Sequence, residues 1–589
     1  MGLVSYIPRP SKISVALYQR KLLPNVYDFI ALVIIMSILA LIGIGAEGMH
    51  QTLIKLQASP IELSISNLPR YALYTTLRMF AAILASLIFT FIVATLAAKN
   101  QRAGSIIIPI LDILQSVPVL GFLTFTVPLC MGLYPGNEIG VEMAAIFAVF
   151  TAQAWNMAFS FYQSLRTVPQ NLKDASTGFC LNKWQTFWCL EVPFAIPGLV
   201  WNTMMSMSGS WFFIVAAEAI SIGNTQISLP GIGSWLGLAI ANKDLAAVCW
   251  AALTMGIVIL IYDQIIFRPI VAWADKFSMG QTASQQQPKS WVYDVIKNTK
   301  SLALIMQPLR SLFDAILCFK WPNIFNIKAE LIIPQQNNNR LDRIFNIVWF
   351  LSLLAITAIA IIVLFNYLYL TISLKELTWV FILGGITSLR VFVLVLLASL
   401  IWVPIGVWVG LRPRVVAWVQ PVAQFLAAFP ANILFPIFVV GIVQYKLNPD
   451  IWLSPLMILG TQWYIFFNVI AGVTVFPNDL KEAASIYRVS SWEWWRSVML
   501  PGIFPYYITG ALTATGGSWN ASIVAEVVSW GTTHIEAHGL GAYIADATTA
   551  GDFHKVVLGV AVMSIFVIFF NKIFWGRLYA YAAQHTGID

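Results

Sequence analysis

Four charged residues, Arg78, Glu218, Arg390 and Glu526, fall in long apolar stretches of this 589-residue chain. An ionised side chain in such a stretch is costly and marks a gate, a solute pathway or an internal pairing. Arg78 and Arg390 admit two readings: snorkelling to headgroups, or attraction of an anion toward a pathway. Glu218 and Glu526 each close an apolar stretch just before a Gly-x-Gly loop, Gly231 to Gly233 and Gly539 to Gly541. They can serve a gate or a partner contact, or cap backbone amides in a re-entrant turn. A second set is polar without being charged: Gln153, Trp155, Asn156, Ser210 and Trp211, and further on Gln462, Trp463, Asn468, Ser518 and Trp519. Such side chains either line a hydrophilic pathway or bond to one another between packed helices. His534, Glu536, His538 and His554 cluster near Asp546 and Asp552. The His-x-x-x-His spacing suits a metal only on a helix, whereas this stretch contains glycines, so no metal is expected. No Gly-Lys dipeptide occurs, which excludes a GxxxxGK[ST] phosphate-binding loop. The chain therefore carries no catalytic set and no cofactor of its own; the chemistry it offers is solute passage.

These residues are arranged twice. Residues 169–193 read PQNLKDASTGFCLNKWQTFWCLEVP and residues 477–501 read PNDLKEAASIYRVSSWEWWRSVMLP, without a gap at an offset of 308. The same offset places Ser210-Trp211 on Ser518-Trp519, Glu218 on Glu526 and Asp244 on Asp552. Upstream the offset becomes 312, with Arg78 on Arg390, Pro109 on Pro421 and Pro118 on Pro430. The length difference falls near Tyr134 to Asn137 and Tyr445 to Asn448. A repeat on this scale is a duplicated membrane unit.

The elements that must position these residues follow from composition. With 59% hydrophobic and 10% charged residues, the chain falls far from the roughly 25% charged usage of soluble domains. An all-α polytopic membrane protein is expected, with spans near 29–48, 79–98, 105–133, 139–163, 195–222 and 245–268, then 344–370, 378–410, 415–443, 451–475, 503–530 and 556–576. Prolines 109, 118, 404, 421 and 430 leave the breaks within the longer stretches open. Only eight of the 34 Lys and Arg residues (Lys55, Arg70, Arg78, Lys243, Lys375, Arg390, Lys446 and Lys555) fall on the outer side if the N-terminus is cytoplasmic. That bias predicts both termini inside, explains the basic pI without nucleic acid, and puts both repeated segments in the cytoplasm. The first span is long enough to remain in the bilayer, so no cleaved signal peptide is expected. Five scattered cysteines are expected to be free thiols. The domains read as a first unit over 1–274, a cytoplasmic linker over 275–343 with an amphipathic helix or a bare tether between its polar runs, and a second unit over 344–589.

The repeated segments, polar at first and rich in tryptophan later, can dock short helices on a cytoplasmic partner. Asp174-Ala175-Ser176 to Pro193 and Glu482-Ala483-Ala484 to Pro501 resemble the EAA loop of permease subunits of ATP-binding-cassette (ABC) importers with the type I fold. Arg390 to Gly410, the FPANILFP run at 429–436 and VAEVVS at 524–529 resemble the nitrate, sulfonate, taurine and bicarbonate branch. The resemblance implies an inner-membrane permease with two halves fused, each of about six helices. It implies a small, anionic solute, delivered by a periplasmic or lipid-anchored binding protein and driven by two separate ATPase subunits that bind ATP and Mg. It gives the ATPase-coupling role to Lys173, Asp174, Ala175, Ser176, Lys481, Glu482, Ala483 and Ala484. Two departures stand out: the family glycine six residues after the carboxylate is Cys180 in one half and Arg488 in the other, where a positive φ is at stake. A self-contained secondary transporter built from two repeats is the alternative, but it leaves the matched loops unexplained.

Overall fold

The computed structural model describes residues 61–116, 119–134, 139–222, 225–277, 372–476 and 478–578, with isolated positions between 290 and 367 and Tyr581. The expected spans at 29–48 and most of 344–370, the body of the 275–343 linker and its amphipathic helix lie outside the described residues.

In the first unit the order is α1 Leu68–Lys99, α2 Gln101–Ser116, α3 Val119–Leu133, α4 Ile139–Arg166, α5 Gln170–Gly178, α6 Val192–Glu218, then a hairpin β1 Ala219–Ile222 and β2 Thr225–Ser228, and α7 Ile232–Ala241 and α8 Leu245–Tyr262. The second unit repeats it with α9 Leu374–Gly410, α10 Pro413–Ala428, α11 Phe435–Gln444, α12 Gln462–Val475, α13 Asn478–Ile486, α14 Leu500–Ala525, β3 Val527–Trp530, β4 Thr533–Glu536, α15 Leu540–Ala550 and α16 Phe553–Phe569. Among the described residues, five helices are long and apolar enough to cross a bilayer singly, and seven crossings result if each of two bent pairs counts as one.

The bends answer the proline question at four positions, Pro118 lying outside the described residues. Pro109, Pro404 and Pro421 are absorbed inside helices, whereas Pro430 sits at a real break, where α10 and the stretch Ala431–Gln444 diverge by 76°. The expected span 451–475 is also broken, by 42° between Pro449–Ile458 and Gln462–Thr474, while its partner α4 is continuous. The two antiparallel hairpins were not expected in an all-α chain; Ala219 pairs with Ser228 and Val527 with Glu536. They close the backbone bonds of short connections that leave and re-enter the bundle.

Small residues let the helices approach. Gly406 and Gly410, one turn apart on α9, lie where an added methyl would press on Val469 and Val473 of α12, a close-contact arrangement that substitutes packing for the hydrophobic effect in lipid. The units also meet in a pseudo-two-fold way. The Val119 amide donates to Asn520 Oδ1 (2.8 Å), and Asn432 Nδ2 donates to the Phe212 carbonyl (3.1 Å). Phe212 and Asn520 share the 308 offset, and Val119 matches Ala431, the neighbour of Asn432, at 312. The start of α3 is thus pinned to α14 of the other unit, and the turn after α10 to α6.

Candidate functional site

At one end of the bundle lie the two repeated segments. α5 and α13 are nine-residue helices, and each ends in the same Schellman turn. Cys180 N donates to Thr177 O and Leu181 N to Ser176 O; Arg488 N donates to Ser485 O and Val489 N to Ala484 O. That turn requires a left-handed residue just past the helix, and Cys180 (φ 54°) and Arg488 (φ 48°) adopt it. The glycine of the resembling family thus marks a conformation that this chain retains with two non-glycine residues.

Asp174 and Glu482 are exposed, while Ser176 and Ala484 pack inward. Gln170 donates to Asp174 Oδ1 (2.9 Å), and Ser176 Oγ bonds back to Lys173 O (2.7 Å). Lys173 is half-buried, Ala175 exposed and Ala483 half-buried; the side chain of Lys481 lies outside the described set. Beside each left-handed residue stands an aromatic side chain with almost no cover, Phe179 at 80% exposure and Tyr487 at 82%. These two share the 308 offset. The tryptophan-rich stretch is the part of the segment that reads as a docking face in the sequence, which overlooks these two rings although the repeat register pairs them directly.

After each turn a short capped helix begins, with Asn182 accepting from Gln185 N and Ser490 from Glu493 N. It runs through a π-helical segment, Phe187–Glu191 or Trp494–Met499, into α6 or α14. The segment is therefore a continuous rod from surface to membrane helix. In the first unit it is further tied by the Lys99–Glu191 ion pair, replaced by apolar Leu411 and Met499 at the matching positions.

The opposite end holds the four charged residues, and the structure gives the arginines a third role. Arg78 makes a two-pronged contact with Glu142 (both 2.6 Å), bonds Glu218 Oε1 (2.7 Å) and donates to the Pro230 carbonyl (2.9 Å). Arg78 is 5% exposed and Glu218 is fully buried, so the guanidinium neither snorkels to headgroups nor stands free for an anion. The second unit repeats this: Arg390 bonds Asp450 Oδ1 (2.8 Å) and Glu526 Oε1 (3.3 Å). Thr75 and Thr387 complete the match by accepting from the amides of Ile232 and Leu540. Glu218 Oε2 accepts from Gly233 N (2.8 Å) and Glu526 Oε2 from Ala542 N (3.1 Å), so the acids do cap re-entrant amides. The Gly-x-Gly pairs follow from this, since a methyl at Gly231 or Gly539 would overlap the carboxylate of Glu218 or Glu526. Glu142 and Asp450 were missed. The signal was available, because they share the 308 offset; a carboxylate in the first turn of a span simply reads as an interfacial flank.

The polar candidates separate. Gln153, Ser210, Trp211, Ser518 and Trp519 are each at most 2% exposed, with Ser86 donating to Gln153 (3.4 Å) and Thr461 bonded to Ser518 (2.9 Å). Asn156 bonds Ser206 (3.0 Å), and Trp402 donates to Gln462 (2.9 Å) while its ring meets that of Trp463. Asn468 bonds back to Tyr464 O, and the Trp155 indole N–H is buried without a partner. Among the described residues, the hydrogen bonds of these side chains stay within one unit.

The sequence profile of the binding-protein-dependent transport system inner membrane component matches residues 86–268 and again 402–578, together more than half of the chain. This chain belongs to that family. It is a multi-pass inner membrane protein with two family units, and the two matches include both repeated segments. Among curated proteins it is similar to the bicarbonate transport system permease protein CmpB of Synechococcus elongatus, 30% identical over 164 residues, or 28% of this chain and 56% of that one. The nitrate import permease protein NrtB of Leptolyngbya laminosa is 26% identical over 184 residues, 31% of this chain and 62% of the relative. The glycine betaine/proline betaine transport system permease protein ProW of Escherichia coli is 30% identical over 144 residues, 24% and 38%. The chain thus spans somewhat more than half the length of the first two relatives. No solved structure matches it significantly.

Proposed function

We propose that this inner membrane component is the translocation subunit of an ABC importer for a small anion, with two permease halves in one chain. The duplicated coupling segment carries the reading: two exposed carboxylate-bearing helices, each ending in a left-handed turn beside an uncovered aromatic ring. Two ATPase subunits, binding ATP and Mg, would take Phe179 and Tyr487 into grooves and use Asp174 and Glu482 for orientation. Their closure would move the rods into α6 and α14. Because each of these helices is hydrogen-bonded to the other unit, the units would rock against one another and open the pathway alternately. The paired Arg78 and Arg390 networks would hold each outer hairpin to its own unit during that motion, and a binding protein would deliver the solute there. This orientation places the coupling segments and both termini in the cytoplasm, consistent with the distribution of lysine and arginine. Bicarbonate and nitrate, named for two of the relatives, are the first solutes to test.

The alternative of a secondary transporter requires membrane carboxylates free to bind a coupling ion. Glu218 and Glu526 are already engaged by arginine, threonine or backbone amides, which favours the importer. The test is isolation of the tagged chain from native membranes. Co-isolation of ATPase subunits at two per chain is expected, with no ATP hydrolysis by the chain alone; ATP turnover by the isolated chain, or its recovery without any ATPase, contradicts the proposal.

A further inference from the structure

The second-unit hairpin carries a set of donors that the transport reading leaves unused. β4 alternates, with Ile535 turned inward and His534 and Glu536 turned outward on one face. Asp546 of α15 comes up beside them, with His534 Nε2 4.0 Å from Asp546 Oδ1. One donor atom from each of the three residues lies within 4.8 Å of the other two. Among the described residues, no lysine or arginine pairs with either carboxylate, so two acids crowd together with only an imidazole for company.

We propose that His534, Glu536 and Asp546 form a binding site for a divalent transition-metal ion of the zinc class. A tetrahedral ion with nitrogen and oxygen ligands at about 2.0–2.2 Å holds its donors roughly 3.3–3.6 Å apart. The three atoms therefore need to contract by about 1 Å, which rotation of exposed side chains supplies. One imidazole and two carboxylates suit zinc, cobalt or nickel better than magnesium or calcium, which take oxygen ligands, and three protein ligands leave a position for water. The scaffold is preset: the ladder of β3 and β4 fixes the spacing of His534 and Glu536, and Glu526 holds the start of α15 through the Ala542 amide.

The set differs from the one that histidine spacing suggests. His538 turns away to Asp450 (3.1 Å), and His554 stacks on Tyr367. At the matching positions the first unit has Gln226, Ser228 and Leu238, so the site belongs to one unit only. An ion there would clamp the second hairpin to α15 and leave the first hairpin unclamped.

The test uses the full chain in lipid nanodiscs, with any affinity tag removed and metal stripped by chelator. Titration with Co(II), read by its visible d–d absorption, and competition of Zn(II) against a chromophoric chelator should show one strong equivalent. H534A should weaken Zn(II) binding at least 30-fold and the double change E536Q/D546N at least 100-fold, with unfolding midpoints unchanged. H538A should bind like the wild type. Equal binding by wild type, H534A and E536Q/D546N, loss in H538A instead, or no stoichiometric binding at all would each overturn the assignment.

Discussion

Replacing Arg78 by methionine separates a buried electrostatic clamp from a decorative ion pair. Arg78 is 5% exposed and Glu218 is fully buried, so the change strands a carboxylate that has only the Gly233 amide and the nearby Thr75 hydroxyl, and it removes the donor of the Pro230 carbonyl. Breaking a buried pair from one side costs about 3–5 kcal/mol, and that is the expected loss for R78M. The second unit is looser: Arg390 is 12% and Asp450 37% exposed, the Arg390–Glu526 contact is 3.3 Å long, and Thr387 still donates to Glu526. R390M should therefore cost about half as much, roughly 2 kcal/mol, since partly solvated pairs contribute less. Adding E218Q to R78M should recover part of the loss, because the stranded charge is removed. The assay is denaturant unfolding in bicelles followed by tryptophan fluorescence, which has buried reporters in Trp211, Trp235 and Trp519. Loss of under 1 kcal/mol in R78M, or a larger loss in R390M, would refute the reasoning.

Three further outcomes are expected. An aromatic side chain buries about 150–250 Å², so covering the 80% of Phe179 that is exposed is worth about 3–5 kcal/mol at 25 cal/mol per Å². With about half surviving the ordering costs of association, F179A and Y487A should each weaken ATPase binding about 30-fold in detergent-solution titration, leaving the isolated chain's unfolding unaltered. At the left-handed Cys180, C180G should keep ATPase binding in the same titration and stabilise the turn by about 1–2 kcal/mol, the strain that a side chain bears in that conformation, read as a higher unfolding midpoint in the bicelle assay. G231A should displace the Glu218 carboxylate and destabilise the chain by about 2 kcal/mol or more in the bicelle assay, because a methyl there has no room.

What the sequence disclosed and what it withheld have separate physical causes. The repeat is legible because duplication preserves register, and register alone pairs Asp174 with Glu482, Glu218 with Glu526 and Arg78 with Arg390. Composition disclosed the membrane class, since lipid tolerates few charges. The breaks were less legible: Pro109, Pro404 and Pro421 bend nothing sharply because neighbouring helices absorb them, and the break near Gly460 and Thr461 carries no proline at all. The hairpins were hidden because four-residue strands such as Val527–Trp530 look like the end of an apolar span. Most of all, pairing was invisible. Nothing local to Arg78 says that Glu142 and Glu218, 64 and 140 residues away, will consume its charge, and the anion-attraction reading failed to anticipate them. The exposed Phe179 and Tyr487 were hidden for the opposite reason, since an aromatic beside apolar residues reads as core until its surroundings are known.

The central claim, ATP-driven inward passage of a small anion coupled through the two cytoplasmic segments, is tested most directly by uptake into proteoliposomes. The chain is reconstituted with its co-isolated ATPases and binding protein, and labelled bicarbonate or nitrate accumulation is measured with and without ATP, for the wild type and for D174K/E482K. ATP-dependent accumulation of one of these anions in the wild type, abolished in the double variant while the membrane domain stays folded, is the predicted result. Accumulation driven by an ion gradient without ATP, preference for a cation, or full coupled uptake by D174K/E482K would contradict the account.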